Sequence, residues 1–338
     1  MKNLSVWQTI RLVLTVWLLC VASIFPSQTR VSAEDFRITA YVVANTVHDE
    51  MDFSHFSQVT DFILFGVATF NEDGEVILTE DAAEKISILR NEIDKYENKR
   101  FYLSMLGPGS QTDSSDWNEQ MADQAQRHTN AFASGKLEKN ILTVLGQYGF
   151  DGVFFDYEYP LEDEAWDAYN NFIVSLDEYL TDTYRIGIAV GAWNLGQNKQ
   201  AQKATDLVVL MSYDTWAEDG THAPVDHAIN DLKTCRFAGY DMAKVDLGLP
   251  FYARPTNRDA YWYAYKDYCD RMDENGLVTD TGNTELVFSF NTCEVIKEKT
   301  ALARKVNAGG VMVWHYACDT PSGSGNSLFD AAAEALAE

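Results

Sequence analysis

The sequence has few basic residues for its length and lacks the patterns of a metal site. It contains 26 Lys and Arg against 51 Asp and Glu, and its formal net charge is −25. Such acidity disfavours nucleic acid and anionic membrane surfaces as partners, and it favours a neutral or cationic ligand. No Cys-x-x-Cys pair and no Cys/His metal spacing occurs. We therefore predict a protein with no bound metal, no organic cofactor and no nucleic-acid partner.

Long hydrophobic runs are also scarce. The run that stands out, Ile10 to Phe25, has 16 residues, which is short of the roughly 20 that span a bilayer. The start of the chain is basic, and the small-residue sequence Val31-Ser32-Ala33 follows the run, as at a signal-peptide cleavage site. We predict that residues 1–33 are a cleaved secretory signal peptide and that residues 34–338 are secreted and free of the membrane. A retained membrane anchor is the alternative.

Cysteine is infrequent, with five residues in the chain and four after the predicted cleavage site: Cys235, Cys269, Cys293 and Cys318. An even number of cysteines in an exported chain permits up to two disulfides, with three possible pairings. The pairing of Cys269 with Cys293 is favoured because both lie in one late segment. Reduced, buried cysteines are the alternative.

Proline is scarce as well, with seven residues, and there is no Pro-rich or Ser-rich linker, no fixed repeat and no low-complexity tract. The predicted mature chain, residues 34–338, is of a size that suits one large α/β domain. We therefore expect a single domain without an appended binding module, and a monomer.

Short apolar runs alternate with amphipathic segments along the whole chain. The predicted strands are Arg37–Ala44, Phe62–Phe70, Phe101–Leu106, Gly152–Glu158, Arg185–Ala192, Leu207–Tyr213, Val245–Phe251 and Gly310–Tyr316. After the fourth strand, apolar residues recur at helical spacing: Trp166, Tyr169, Phe172, Ile173, Leu176 and Tyr179. Eight strand–helix units predict a closed (β/α)8 barrel of the TIM type. An open doubly wound sheet is the alternative, but no Gly-rich phosphate loop opens a helix. The long connection between the last two strands, residues 253–309, is expected to form a small lobe.

The segment Phe150 to Tyr159 is the most informative part of the sequence. It begins as a buried strand and ends with two carboxylates, Asp156 and Glu158. Residues two apart in a strand point to the same face, so we expect both side chains on one side. Like charges this close push their pKa values apart, and we expect Glu158 to have the raised pKa beside an ionised Asp156. A structural salt bridge to Arg or Lys is the alternative explanation of the pair.

Polar and aromatic residues also collect at the ends of other predicted strands. The candidates are Tyr41, Ser104, Trp193, Met211, Tyr213, Asp214 and Trp314. Active sites of (β/α)8 barrels lie at the carboxyl ends of the strands, so these side chains are expected to meet there. Further aromatic residues that could stack on a ligand in such a site are Trp216, Trp262, Tyr263 and Tyr316. His315 is expected to serve packing.

These motifs together resemble family 18 of the glycoside hydrolases, the chitinases and endo-β-N-acetylglucosaminidases. The family signature has the form DGxDxDxE followed by Tyr-Pro, and it is matched by Asp151, Gly152, Asp156, Glu158, Tyr159 and Pro160. The sixth-, seventh- and eighth-strand motifs are matched by Met211 to Asp214, Leu247 to Tyr252 and Gly310 to Trp314. The third-strand motif is matched only in part, around Ser104.

The resemblance implies a secreted hydrolase of β-1,4-linked N-acetylglucosamine. Glu158 would be the general acid, and Asp156 and Tyr213 would hold the substrate's own acetamido group, which acts in place of an enzyme nucleophile. Asp214 would hold the sugar, and Trp314 would form the apolar floor beneath it. Met211, Tyr41, Ser104 and Trp193 would complete the substrate site. An enzyme that cuts the chitobiose core of N-glycans and a carbohydrate-binding protein of weak activity are the alternatives.

One position departs from the family pattern. Phe154 stands where the family has an aspartate, two residues before Asp156. A phenylalanine cannot hydrogen-bond Asp156, and it removes water from around it. We therefore expect slower hydrolysis, or a different substrate, than in an ordinary chitinase.

Overall fold

The computed structural model describes residues 35–279 and 286–337, so the predicted signal peptide lies outside the described residues. The strands are β1 (Arg37–Val43), β2 (Asp61–Phe65), β3 (Ala68–Phe70), β4 (Val76–Leu78), β5 (Arg100–Met105), β6 (Gly152–Phe155), β7 (Arg185–Val190), β8 (Leu207–Leu210), β9 (Val245–Pro250), β10 (Tyr252–Pro255), β11 (Tyr263–Ala264), β12 (Leu277–Thr279), β13 (Val287–Ser289) and β14 (Gly310–Trp314). Strands β1, β2, β5, β6, β7, β8, β9 and β14 form a closed barrel in that order. Every neighbouring pair in it is parallel, which confirms the predicted (β/α)8 barrel.

Helices cover the outside of the barrel. They are α1 (Ala82–Ile93), α2 (Trp117–Ala133), α3 (Leu137–Tyr148), α4 (Asp163–Leu180), α5 (Lys199–Ala204), α6 (Val225–Phe237), α7 (Cys293–Lys305) and α8 (Leu328–Ala337). Helix α3 ends at Gly149, whose positive φ of 72° is a conformation that glycine adopts without a steric penalty. The predicted apolar face of α4 is buried, except that Tyr179 is 44% exposed. None of the helices in the described part of the chain is both long and apolar enough to cross a membrane.

Two packed regions follow from the alternation of side chains along the barrel strands. Residues that point outward join the helices in one large core. Residues that point inward form a second, smaller cluster that fills the barrel: Tyr41, Ile63, Tyr102, Phe154, Ala189, Leu207, Val209 and Met312. The interior of the barrel is therefore a packed core. Only the end of the barrel that is formed by the carboxyl ends of the strands is available for a site.

Buried ion pairs lie at the amino-terminal end of the barrel, opposite the site. Asp246 on β9 is fully buried and accepts hydrogen bonds from Arg37, with Nη2 to Oδ1 at 2.7 Å, and from Thr39 at 2.6 Å. Asp61 is also fully buried and pairs with Arg100 at 3.1 Å. Removing one partner of such a pair leaves an uncompensated charge, which costs about 3–5 kcal/mol. These groups hold strands together and take no part in the cavity.

Most predicted strands are one to three residues too long at their carboxyl ends, because apolar character continues after the hydrogen-bonded ladder has stopped. The largest difference is in Phe62–Phe70, which the structure divides at Gly66, a residue with a φ of +91°. The fourth predicted strand ends at Phe155, so Asp156 and Glu158 follow the strand and do not lie within it. The prediction that both side chains face the same way assumed that they lie within one strand, and that assumption was wrong.

The predicted lobe is present between β9 and β14. Strands β10 to β13 form an antiparallel sheet in the order β11-β10-β13-β12, and it stands beside the carboxyl ends of the barrel strands. A second small hairpin, β3 with β4, follows β2. The lobe matters for the site because it brings side chains into the cavity from a part of the chain with no strand-end motif.

The predicted disulfide between Cys269 and Cys293 is not formed. All four described cysteines are free thiols. The sulfur of Cys269 accepts a hydrogen bond from Asn326 at 3.1 Å, whereas the sulfur of Cys293 lies 3.7 Å from the Tyr265 hydroxyl. Proximity in sequence was not sufficient, because a disulfide also requires the two β-carbons to face each other at about 4 Å.

Candidate active site

A cavity of about 1200 Å³ opens at the carboxyl ends of the barrel strands. Its walls come from the loops after β1, β6, β7, β8 and β14, from α6 and from the lobe. Seven of the nine predicted site residues line it: Asp156, Glu158, Trp193, Met211, Tyr213, Asp214 and Trp314. This is the end at which barrels of this architecture carry their active sites.

The two carboxylates after β6 differ sharply in their surroundings. Asp156 is only 5% exposed, whereas Glu158 is exposed to the cavity. Burial raises the pKa of Asp156 well above its usual range, and the neighbouring Glu158 raises it further. Two neighbouring carboxyls avoid like-charge repulsion when one of them carries a proton. Asp156 is therefore the member of the pair that its environment drives toward the protonated form, and the prediction that Asp156 is the ionised one was wrong, because the sequence did not show how deeply it is buried.

The alternative reading of this pair, a salt bridge, is not supported. Within residues 35–279 and 286–337, neither Asp156 nor Glu158 forms an ion pair with Lys or Arg. The protein donor to Asp156 is the hydroxyl of Tyr41, at 3.4 Å from Oδ2, and Oδ1 is buried without a partner among the described residues. The pair is held near neutral side chains. The charge of each carboxyl therefore depends strongly on which of the two carries the proton.

Asp214, at the end of β8, has the opposite environment. The Arg254 guanidinium donates to both carboxylate oxygens, with Nε to Oδ1 at 2.8 Å and Nη2 to Oδ2 at 2.6 Å. Tyr252 donates to Oδ1 at 2.7 Å, and Nε2 of His222 lies 3.3 Å from the same oxygen. Burial alone would raise the pKa of Asp214, but these hydrogen bonds outweigh it and lower the pKa below the usual range. Asp214 is thus held as an anion.

The floor of the cavity is apolar and aromatic. Trp314 is half-buried at the end of β14, and its ring meets Tyr41 at 4.9 Å and Phe65 at 5.3 Å between centroids, both edge to face. Met211 and Tyr213 lie at the same level and pack against this cluster. Burial and the nearby carboxylates raise the pKa of Tyr213 well above its usual range, so its hydroxyl keeps the proton that it needs to donate a hydrogen bond.

Two predicted site residues, Tyr41 and Ser104, lie below this floor. Tyr41 is 1% exposed and reaches Asp156, so it acts on the carboxylate and not on the cavity surface. Ser104 is equally buried, and its hydroxyl has no hydrogen-bond partner among the described residues. Both were placed on the correct face of the barrel, but the sequence does not show how deep along a strand a side chain lies. Phe154 is fully buried beside them, next to Ser104 in the strand register.

Exposed tryptophans stand at the cavity walls. Trp193 is 65% exposed and packs edge-on against Tyr159, and Trp262 of the lobe is 48% exposed. Tyr316 also borders the cavity, but it is 3% exposed. The other two predicted stacking residues serve the lobe: Trp216 donates to the Pro255 carbonyl, and Tyr263 packs on Phe288.

His315 is buried as expected, beside the Cys318 thiol at 3.3 Å, and burial lowers the pKa of this histidine to about 4. No group of three or more His, Cys, Asp or Glu is placed to hold a metal ion in the part of the chain that the structure describes.

The sequence did not predict two side chains that contact Asp214, Arg254 and His222, or the part of the cavity wall that the loop after β1 forms. Arg254 and His222 come from the lobe and from the loop after β8, where no spacing pattern marks them. The loop after β1 supplies His48, Glu50 and Asp52 to the cavity rim. A signal was present only for Arg254, which stands in the motif region just after the seventh barrel strand.

Comparison with known proteins agrees with this geometry. The family model described as glycosyl hydrolases family 18 matches residues 37–319. The chain belongs to glycosyl hydrolases family 18. The match begins at β1 and ends at Asp319, so it includes every barrel strand and the whole cavity wall.

Individual relatives of this family 18 chain are distant. Endochitinase 1 of Metarhizium anisopliae is 26% identical over a 247-residue alignment, and the match covers 56% of this chain and 57% of that protein. The chain therefore spans little more than half the length of that curated relative. A class V chitinase from Nicotiana tobaccum, solved in complex with NAG4, has a TM-score of 0.69 at 16% identity and covers 89% of this chain and 99% of its own. A chitinase-like agglutinin from Robinia pseudoacacia has a TM-score of 0.67 at 17% identity, covering 88% and 99%. At these identities the structural neighbours show the fold alone.

Proposed function

We propose that this family 18 protein hydrolyses β-1,4 linkages of N-acetylglucosamine, in chitin or its oligosaccharides, by a retaining, substrate-assisted mechanism. The observation that carries the proposal is a buried Asp156 next to an exposed Glu158 in the cavity that Tyr213, Asp214 and Trp314 also line. The Metarhizium endochitinase and the Nicotiana chitinase with its bound NAG4 are consistent with this substrate class.

In the first step the proton that burial favours on Asp156 passes to the neighbouring Glu158, which donates it to the oxygen that bridges two sugars and leaves Asp156 as a carboxylate. The carbonyl oxygen of the substrate's own 2-acetamido group attacks the anomeric carbon as the bond to the leaving sugar breaks. Tyr213 hydrogen-bonds that carbonyl, and Asp156 accepts from the acetamide N–H, which stabilises the positive charge that develops on the oxazolinium ring. Trp314 lies under the reacting sugar and excludes water from that face.

In the second step a water molecule attacks the anomeric carbon from the side that the leaving sugar vacated. Glu158, now a carboxylate, takes the proton of that water, and the acetamido group is released. Two inversions give net retention. Asp214, fixed as an anion by Arg254, accepts a hydrogen bond from a hydroxyl of the bound sugar. This contact keeps the sugar in one orientation through both steps.

The mechanism makes a specific demand that an experiment can test. Chitohexaose should be cleaved, and the first product observed by NMR should be the β-anomer. The fully deacetylated hexamer should not be cleaved, because it lacks the carbonyl that attacks. Hydrolysis of both hexamers at similar rates, or an α-anomer as first product, would contradict the proposal.

A second candidate, a sugar-binding protein with little turnover, is favoured by one observation. Phe154 leaves the Ser104 hydroxyl and Oδ1 of Asp156 buried without partners among the described residues, so Asp156 receives less support than a carboxylate neighbour would give. The Robinia agglutinin shares the fold. Saturable binding of chitohexaose with no product over days would favour this candidate, and cleavage of a high-mannose glycoprotein alone would favour an endo-β-N-acetylglucosaminidase.

We further propose that residues 1–33 direct export, that residues 34–338 act as one secreted catalytic unit, and that it is a monomer. Amino-terminal sequencing of the protein recovered from the medium tests the first point. Light scattering of that protein tests the last.

A further inference from the structure

The segment that carries Glu158, residues 156–160, has no regular secondary structure. It follows β6 directly, and helix α4 begins only at Asp163. A side chain on such a segment has no helix or strand to fix its direction. The orientation of Glu158 must therefore depend on contacts from neighbouring elements.

One such contact comes from Asn194, in the loop after β7. Its Nδ2 donates to the carbonyl oxygen of Pro160 at 3.1 Å, and its Oδ1 accepts from the indole Nε1 of Trp166 at 2.9 Å. The direction of this amide is determined by its partners, because an indole N–H only donates and a carbonyl only accepts. Asn194 therefore connects the acid segment to helix α4 with both ends satisfied.

The helix end of this connection is rigid. Trp166 is 7% exposed, and Gly196 of the same loop packs flat against its indole, where an added β-carbon would come within 2.3 Å. On the other end, Gln124 of helix α2 donates to the carbonyl of Glu158 itself at 3.2 Å. The backbone at the acid and just after it is thus held by two side-chain amides, one from helix α2 and one from the loop after β7.

We propose that Asn194 is a positioning residue for the acid Glu158, acting through the Pro160 carbonyl. The inference rests on the proposed function, since it assigns the direction of proton donation to a contact outside the cavity. Misplacement of a catalytic group by about 1 Å can reduce the rate by a factor on the order of 100. Loss of this hydrogen bond is expected to reduce proton donation to the leaving group more than substrate binding.

The test uses Asn194→Asp, with Asn170→Asp as a matched control. In N194D the bond from Trp166 remains, but a carboxylate oxygen faces the Pro160 carbonyl and repels it. Asn170 is a buried amide on helix α4, which also carries Trp166. It holds the far end of the loop after β7 through hydrogen bonds with Gly196 and Asn198. N170D therefore adds the same negative charge and removes an amide donor to the same loop, but it makes no contact with residues 156–160.

Each variant is assayed on two substrates, chitohexaose and a 2,4-dinitrophenyl β-glycoside of N,N′-diacetylchitobiose. Dinitrophenolate leaves without a proton, so its release does not need the acid. For N194D we expect kcat/KM on chitohexaose to fall roughly 10- to 100-fold, and kcat/KM on the aryl glycoside, which reports the bond-breaking step alone, to fall less than about threefold. For N170D any loss should be equal on the two substrates.

Four results would overturn the proposal. Equal losses on both substrates for N194D would mean that Asn194 only supports the fold. The same difference between substrates for N170D would mean that the loop as a whole, and not this amide, controls the acid. If the wild-type protein cleaves neither substrate, the proposed function fails and this inference fails with it, whereas an active wild type with an unaffected N194D overturns the inference alone.

Discussion

Asp156 and Asp214 are carboxylates on opposite sides of one cavity, and the protein treats them in opposite ways. Asp156 is buried with one tyrosine donor at 3.4 Å, and its pKa is raised. Asp214 is more exposed, yet Arg254, Tyr252 and His222 contact it, and its pKa is lowered. The comparison shows that a buried carboxyl with one distant donor is driven toward the protonated form, whereas several close partners hold a partly buried carboxyl as an anion. The β6 side of the cavity is arranged to exchange protons, and the β8 side is arranged to hold a fixed charge.

The largest effect is expected from breaking the β6 side. Glu158→Gln keeps the shape of the side chain but cannot donate a proton, so turnover of chitohexaose should fall by a factor on the order of 100 to 10,000. Binding of chitohexaose, measured by calorimetry, should remain within a few-fold of wild type. A variant that hydrolyses at the wild-type rate would show that Glu158 is not the acid.

The next effect comes from breaking the β8 side. Arg254→Met removes the bidentate partner of Asp214, which is partly exposed, so we expect a loss of about fivefold in kcat/KM, corresponding to roughly 1 kcal/mol after screening by solvent. The pKa of Asp214 should rise toward its ordinary value, because the anion has lost its strongest donor. The acid limb of the pH profile should therefore move to higher pH.

A pH profile in Arg254→Met that coincides with wild type would contradict the comparison between the two sides. Arg258→Met, on an exposed turn of the same lobe, is the control for the loss of one positive charge. It should leave both kcat/KM and the profile unchanged.

The chain order of the motifs made much of this structure predictable, and the reason is geometric. Parallel strands bring their carboxyl ends to one edge, so residues that follow β6, β8 and β14 had to meet. Asp156, Tyr213 and Trp314 could therefore be assigned to one site from the sequence. The same rule predicted the barrel, because apolar runs of strand length separated by helical segments leave few other arrangements.

What could not be predicted depends on depth, bends and long-range contacts. The apolar run through Gly66 gave no sign that the strand would break there. Tyr41 and Ser104 point into the barrel as expected, but their distance from its mouth depends on strand stagger. His222 reaches Asp214 from the loop after β8, and Arg254 reaches it from the lobe, whose fold follows from antiparallel pairing that no local pattern specifies.

The third effect concerns the surroundings of Asp156. Phe154→Asp places a carboxyl beside the unpartnered Ser104 hydroxyl, inside a packed apolar cluster. We expect a changed pH profile of kcat, because a second carboxyl below Asp156 alters the charge that Asp156 can hold. The melting temperature should fall, since a buried carboxyl is costly.

Phe154→Leu is the control, because it keeps the site apolar at a cost of about 1 kcal/mol in stability. It should lower the melting temperature slightly and leave the pH profile as it is. A well-folded Phe154→Asp with the wild-type profile would show that this position does not affect the β6 carboxylates.

The smallest effect is also the sharpest test of the contrast, because it has a different pH window for each aspartate. Asp156 has a raised pKa when folded, so the native state binds more protons than the unfolded state above about pH 3.9, and stability falls as pH rises through that window. Asp156→Asn removes this term, so its melting temperature relative to wild type should increase from pH 4 to pH 7. Asp214 has a lowered pKa when folded. The contribution of its carboxylate to the stability of the fold is therefore fully present above about pH 3.9 and is lost as the pH falls below that value. The deficit of Asp214→Asn should therefore be constant at neutral pH and shrink below pH 4. Scanning calorimetry that found the same pH dependence in both variants would mean that the two carboxylates are not in opposite states.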